Sequence, residues 1–242
     1  FAPDARIDRD LLAKTVGLAV RFLDNVVDVS NYPLEAQSGE ARAKRRIGLG
    51  MTGLADALAM CGLRYGSEAA ATAAGEWAAI LETSAYGTSA RLAAEKGVFP
   101  LFDAEKYLGG GHAQNLPETV RKAVAKSGLR NGLLTSIAPT GTISLFAGNL
   151  SSGIEPIFSV SYERKVRQAD NSRKALRVDD YAARLWWSLK GRDEPLPEAF
   201  VTAGQLTPHE HLIMQAAVQK HIDSSISKTI NVPEDCGFDD FR

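Results

Sequence analysis

At 242 residues, 45% of them hydrophobic and 24% charged, the chain has the make-up of a globular protein able to bury a sizeable core. A formal charge of −1 gives no reason to expect nucleic-acid or membrane-surface binding, and no apolar run approaches the roughly 18 residues that cross a bilayer. Cys61 and Cys236 are too few and too far apart for a structural zinc site or a CxxC redox pair, so two free thiols in a cytoplasmic protein are expected.

The opening Phe1-Ala2-Pro3-Asp4-Ala5-Arg6 lacks the basic and apolar segments of a signal peptide, and without an initiator Met it reads as part of a longer chain. Over 8–29, Leu12, Val16, Ala19, Val20, Leu23, Val26 and Val27 recur at helical spacing, with Asp8 as N-cap. A loop is expected over 30–39. The basic run Arg42, Lys44, Arg45 and Arg46 reads as a solvated face or as a contact to an acidic partner.

Gly48-Leu49-Gly50-Met51-Thr52-Gly53 matches the dinucleotide pattern G-x-G-x-x-G letter for letter. That fingerprint needs a buried strand before it, and 41–46 is basic; the ribose-binding acid expected about 20 residues on falls within another helix. A short strand turning tightly into a helix over 54–61 explains the glycines as well. Cys61, at the end of that helix, reads as a buried small hydrophobe, and Cys236 as an exposed loop residue. Ser67 caps a long Ala-rich helix running to Lys96 and stopped by Gly97; Gly75 and Gly87 mark packing contacts or a break into two helices. Residues 98–116 read as a loop, and Pro117 as the first position of a short helix ending before Gly128.

Leu133-Leu134-Thr135-Ser136-Ile137-Ala138 is a short buried-strand pattern that breaks at Pro139 and Gly141 and continues into a helix start. The unpaired N–H groups of a first helical turn attract anions. Thr140, Thr142 and Ser144 carry hydroxyls, and Gly141 lets backbone approach a ligand. The stretch is therefore either a phosphate-binding loop or a strand-to-helix connection with an ordinary cap. Beyond it, 157–166 reads as a half-exposed strand, followed by a basic cluster from Arg164 to Arg177. A helix follows over 178–189. Thr207-Pro208-His209-Glu210 has the cap, proline and acid of a helix start. His209 and His211 face different ways on that helix and are expected in surface or capping roles. Residues 224–232 read as a strand ending at Pro233. Long helices alternating with few short strands suggest an α/β domain, helices outside a sheet or barrel.

Four stretches together resemble the large catalytic subunit of ribonucleotide reductases. They are Arg45-Arg46-Ile47-Gly48-Leu49-Gly50-Met51-Thr52-Gly53-Leu54-Ala55-Asp56-Ala57-Leu58, Ala138-Pro139-Thr140-Gly141-Thr142-Ile143-Ser144, Ser151-Ser152-Gly153-Ile154-Glu155-Pro156 and Ser225-Ile226-Ser227-Lys228-Thr229-Ile230-Asn231. The wording is closest to the adenosylcobalamin-dependent class, and no adjacent tyrosines of the kind that relay a radical in the di-iron enzymes occur here. The resemblance implies a single helix-rich α/β domain over 1–242, the second five-stranded half of a ten-stranded α/β barrel. It assigns Thr140, Gly141, Thr142, Ile143 and Ser144 to the phosphates of the substrate ribonucleotide and removes the dinucleotide reading. It implies adenosylcobalamin as the parent enzyme's cofactor, with no motif for it in this chain. As partners it implies the ribonucleotide, the N-terminal half of the barrel and, through exposed strand edges, further copies of the chain. The family's Asn-x-Cys-x-Glu finger loop is absent, so Cys61 and Cys236 take no radical role and the isolated chain is expected to be inactive. The alternative is a stand-alone, non-catalytic phosphate-binding module derived from that barrel.

Overall fold

The structure is a computed structural model describing residues 1–2, 4–232 and 236–237. Helix α1 (Arg9–Val29) starts where Asp8 accepts a hydrogen bond from the Leu11 amide at 2.9 Å, and buries Val16, Val20, Asp24 and Val27. Helix α2 (Glu35–Lys44) occupies much of what was expected to be loop. It buries no residue, so there was no apolar period to reveal it. Helix α3 (Leu54–Met60) follows Gly53, and α4 (Glu68–Lys96) runs unbroken from its Ser67 cap to Gly97. Residues expected as loop form two short helices, α5 (Ala104–Leu108) and α6 (Gly111–Asn115). Pro117 is the N-cap of α7 (Glu118–Ser127), one place earlier than expected, and α8 (Gly141–Phe146) follows.

Strand β1 (Ser161–Arg167) begins later than the pattern suggested and pairs antiparallel with β2 (Arg173–Asp179), from Ser161 opposite Asp179 to Arg167 opposite Arg173. The second strand lay hidden in the basic cluster, because neither of its faces is buried enough to need apolar residues. Helices α9 (Tyr181–Lys190) and α10 (Pro208–Gln219) complete the order; α10 has the expected capping box of Thr207 and Glu210. Pro233, the expected end of the last strand, lies outside the described residues.

Helix α4 is the hub of the core and packs against α1, α7 and α10. Its buried residues lie on every side, and six of the thirteen are alanines that let neighbouring backbones come near. Gly75 sits where an added Cβ would lie 3.6 Å from the Ala217 carbonyl of α10, so it marks a packing contact.

A five-stranded half-barrel is not seen as a continuous sheet among the described residues. What exists besides the hairpin is a set of short extended segments touching through parallel bridges: Leu49 with Thr135, Ile137 with Ile226, and Ile157 with Thr202. The segment around Thr135 and Ile137 lies between the other two of the first pair of bridges. It accepts from Ile47 and Leu49 on one side, and its Ile137 amide donates to Ser225 on the other. The pattern expected as a strand over 224–232 is thus reduced to the contact at Ile226.

A buried charge network ties this layer to the helices. Arg45, expected on a solvated face or against an acidic partner, is buried inside its own chain. Its guanidinium donates to Asp24 Oδ1 at 2.7 and 2.9 Å and to Asp28 Oδ1 at 2.7 Å. Asp24, fully buried on α1, also accepts from Arg130, Lys96 and Asn131. Burial alone would push the Asp24 carboxyl up, but Arg45, Arg130 and Lys96 outweigh it and hold it below the usual carboxylate range. Two residues past Arg45 the chain enters the Leu49 segment, so the network fixes where that segment starts. Asp24→Ala, which leaves Arg45 buried against Asp28 alone, should cost about 3–5 kcal/mol in urea-induced unfolding. A cost below about 1 kcal/mol would show that the pair does not anchor the layer.

Candidate functional site

Three of the quoted stretches converge at one place, and hydroxyls join them. Thr52 Oγ1 lies 2.9 Å from Thr140 Oγ1 and 3.0 Å from the Ser151 carbonyl. The Gly153 amide reaches Thr140 Oγ1 at 2.7 Å and Thr52 Oγ1 at 3.2 Å. Each hydroxyl has one hydrogen, so the directions follow: Thr52 donates to Ser151, Thr140 donates to Thr52, and the Gly153 N–H is shared by both oxygens. Gly50 owes its identity to the same layer. A Cβ there would lie 2.2 Å from the Ser136 carbonyl, and this close approach accounts for a glycine of the G-x-G-x-x-G match without a dinucleotide.

Thr140 has φ of +53°, a left-handed conformation that is an outlier for a β-branched residue. Its strain, about 1–3 kcal/mol, is held by the hydroxyl contacts just described. The turn aims α8 so that the amides of Gly141, Thr142 and Ile143 donate to no protein acceptor among the described residues. The hydroxyls divide differently from the sequence expectation. Thr140 spends its own inside the loop, and Ser144 is buried with its oxygen 3.2 Å from the Gly141 carbonyl and 3.1 Å from Ser152 Oγ. Thr142 remains exposed, as do Gly141 and Ile143.

Beside the loop is a cavity of about 420 Å³, lined among others by Gly141, Ser144, Ser152, Glu155, Tyr162 and Asp180. Acids line or brace its walls. Asp56 of α3 accepts from the Ser151 amide at 2.7 Å and the Ala182 amide at 3.0 Å, fastening the start of α9 to the Ser151 turn. Asp180 caps α9 through the Ala183 amide at 3.1 Å; burial, with the Asp56 charge nearby, raises its carboxyl to about 7. Glu155 accepts from Lys228 and from the Thr229 amide. Tyr65, buried between α3 and α4, donates to the Ile154 carbonyl at 2.6 Å and braces the same turn. His211, expected in a surface or capping role, is fully buried against Lys228 because it faces the Glu155 turn across α10.

Thr52, Asp56, Asp180, Glu155 and Lys228 were not picked out by pattern. Four of them lie inside or next to the quoted stretches, but each meets a partner far away in sequence, which spacing cannot reveal. Cys61 lies elsewhere, in a hollow with Ile7 and Trp77, is partly exposed, and its thiol is pushed up by burial. Cys236 is half-buried rather than exposed.

A family model described as the ribonucleotide reductase barrel domain matches residues 1–242. The chain is similar to a vitamin B12-dependent ribonucleoside-diphosphate reductase of Mycobacterium tuberculosis (strain ATCC 25618 / H37Rv), 39% identical over 260 residues covering 99% of this chain and 34% of that protein. A protein of the same description from Thermoplasma acidophilum is 33% identical, covering 97% of this chain and 31% of its own length. A ribonucleoside-diphosphate reductase subunit alpha of Chlamydia pneumoniae is 27% identical, covering 96% and 26%. The chain spans about a third of the length of the first two.

The Asp180 carboxyl supplies a pH test. Its value of about 7 in the folded protein lies above the ordinary 3.8, so between these values the folded state holds the extra proton and stability falls as pH rises. Asp180→Asn keeps an oxygen for the cap and removes the titration. It should match the native protein at pH 4 and exceed it by about 1 kcal/mol or more at pH 8 in denaturant unfolding. An equal effect at both pH values would refute the assignment.

Proposed function

This chain belongs to the ribonucleotide reductase barrel-domain family, and from that premise we propose that its Pro139 loop holds the phosphates of a ribonucleotide substrate. The observation that carries the reading is the set of three uncommitted amides at the exposed residues Gly141, Thr142 and Ile143, the first of which lines a cavity of about 420 Å³. Backbone N–H groups pointing one way bind phosphate oxygens without a cation. The exposed Thr142 hydroxyl adds a donor, and the side chain of Ile143 stays out of the way because the contact uses its backbone. Thr140 and Ser144 shape the loop from behind.

On this reading the chain is one domain, the second half of a catalytic barrel, and the whole protein makes 2′-deoxyribonucleotides from ribonucleotides for DNA synthesis in the cytoplasm. Parallel bridges among three short segments support the half-barrel as a remnant of a layer that a complete barrel would extend. The exposed ends of that layer favour self-association of the isolated chain. Among the described residues no helix is long and apolar enough to cross a membrane.

The names of the relatives bring adenosylcobalamin into the reading. Among the described residues no group of three or more His, Cys, Asp or Glu could hold a separate metal ion, and a corrin brings its own nitrogen ligands to its cobalt. The cofactor is therefore assigned to no residue of this chain. The Cys61 thiol, pushed up by burial and lying in a different hollow, lacks the environment of an activated thiolate.

Two measurements test the proposal. An added Cβ at Gly141 meets nothing within 4 Å, so Gly141→Val should fold normally while its side chain stands where a phosphate would sit. Calorimetry with inorganic pyrophosphate and cytidine diphosphate should show at least about a tenfold loss of affinity with an unchanged melting temperature. Undiminished binding by the folded variant would remove the loop from the site. The 242-residue chain alone, given adenosylcobalamin and a dithiol, should show no turnover of a ribonucleoside diphosphate; turnover would place radical chemistry in this chain.

A further inference from the structure

Lys228 has the most enclosed charge beside the cavity, with 1% of its side chain exposed. Its ammonium has three hydrogens and three acceptors: Glu155 Oε2 at 2.7 Å, His211 Nδ1 at 2.7 Å and the Thr229 carbonyl. A lysine committed in this way has no hydrogen left for a ligand and no surface to present to one. Glu155 is placed differently. It lines the cavity, 21% of its side chain is exposed, and its second oxygen takes the Thr229 amide at 2.6 Å. An uncompensated carboxylate here would put negative charge on the wall of a cavity whose free amides favour an anion.

His211 shows how the fold keeps Lys228 in place. Burial and the Lys228 charge both hold its imidazole below the usual range, so it is neutral and accepts at Nδ1. The proton then sits on Nε2, which faces the Ala203 backbone. The helix α10 thus supplies an acceptor to a buried cation.

We propose that Lys228 is a positioning residue for the anion cavity, acting through Glu155: it cancels the carboxylate's charge and pins the segment from Lys228 to Asn231 as a cavity wall. The inference rests on the phosphate-binding reading of the Pro139 loop. Thr229 and Asn231, at the end of that segment, line the cavity with Glu155.

The test is pyrophosphate calorimetry on the native protein, Gly141→Val, Lys228→Met, Glu155→Gln and the Lys228→Met/Glu155→Gln pair. Lys228→Met should bind about tenfold more weakly, the cost of one exposed like charge near the anion, and the double variant should recover to within about threefold of the native value. If Lys228 merely props up the wall, the double variant stays as weak as the single, and the proposal fails. Should Lys228→Met not fold, Glu155→Gln decides alone. It keeps the shape, frees the Lys228 charge, and should bind pyrophosphate severalfold tighter at low salt; unchanged affinity refutes the proposal. A native protein that binds no pyrophosphate overturns the loop reading and this inference with it. Native binding that Gly141→Val abolishes and Lys228→Met leaves intact overturns this inference alone.

Discussion

Backbone amides that have no strand partner must find another acceptor, and in this protein buried and half-buried carboxylates supply it. Asp223 takes the amides of Leu134 and Thr135 at 2.8 and 3.0 Å, Asp56 those of Ser151 and Ala182, and Glu155 that of Thr229. The extended segments are so short that a ladder alone leaves much of their backbone unpaired. Each acid therefore does the work that a longer neighbouring strand would do, and it does so at a fixed point. The loops at the segment ends are placed to within hydrogen-bond tolerance.

The same solution brings a second constraint. A carboxylate used as a backbone acceptor carries charge into the interior, and that charge has to be answered. Glu155 is answered by Lys228; Asp24, whose carboxylate takes only side-chain donors, is answered in the same way by Arg45, Arg130 and Lys96. Asp180 has no ion pair among the described residues; the Arg184 charge only partly offsets burial and Asp56, and its carboxyl rises to about 7. At Asp24 the cations hold the carboxyl below the usual range against burial. The cavity wall contains one acid paired with Lys228, one whose carboxyl rises to about 7, and the cation Arg164, so little negative charge faces the free amides.

Hydroxyls complete the arrangement on a smaller scale. The chain from Thr140 to Thr52 to Ser151, with the Gly153 amide shared between two oxygens, satisfies a left-handed turn that backbone alone would not hold. This is why the loop's hydroxyls divide into two that build it and one, on Thr142, that faces outward. The amides of Gly141, Thr142 and Ile143 stay free because they open α8, where no intrahelical acceptor exists and Thr140 makes no side-chain cap.

Local chemistry made much of the helical frame legible in the sequence. Asp8, Ser67 and the Thr207 box mark helix starts by side chains that reach their own N–H groups, and Gly97 marks a stop; such contacts are local and need no fold to be read. Helices α2, α5 and α6 and strand β2 escaped notice because they bury too little to impose an apolar period. The Pro139 loop was visible as a strand broken by Pro and Gly, and four ordered stretches pointed to the family. Tertiary structure alone decided that Arg45 and His211 are buried, that Thr140 and Ser144 turn inward, and that Glu155 meets Lys228 beside the loop. The physical reason is the same in each case: desolvation and pairing depend on what the chain brings near from 8 to 88 residues away, and residue spacing carries no record of that.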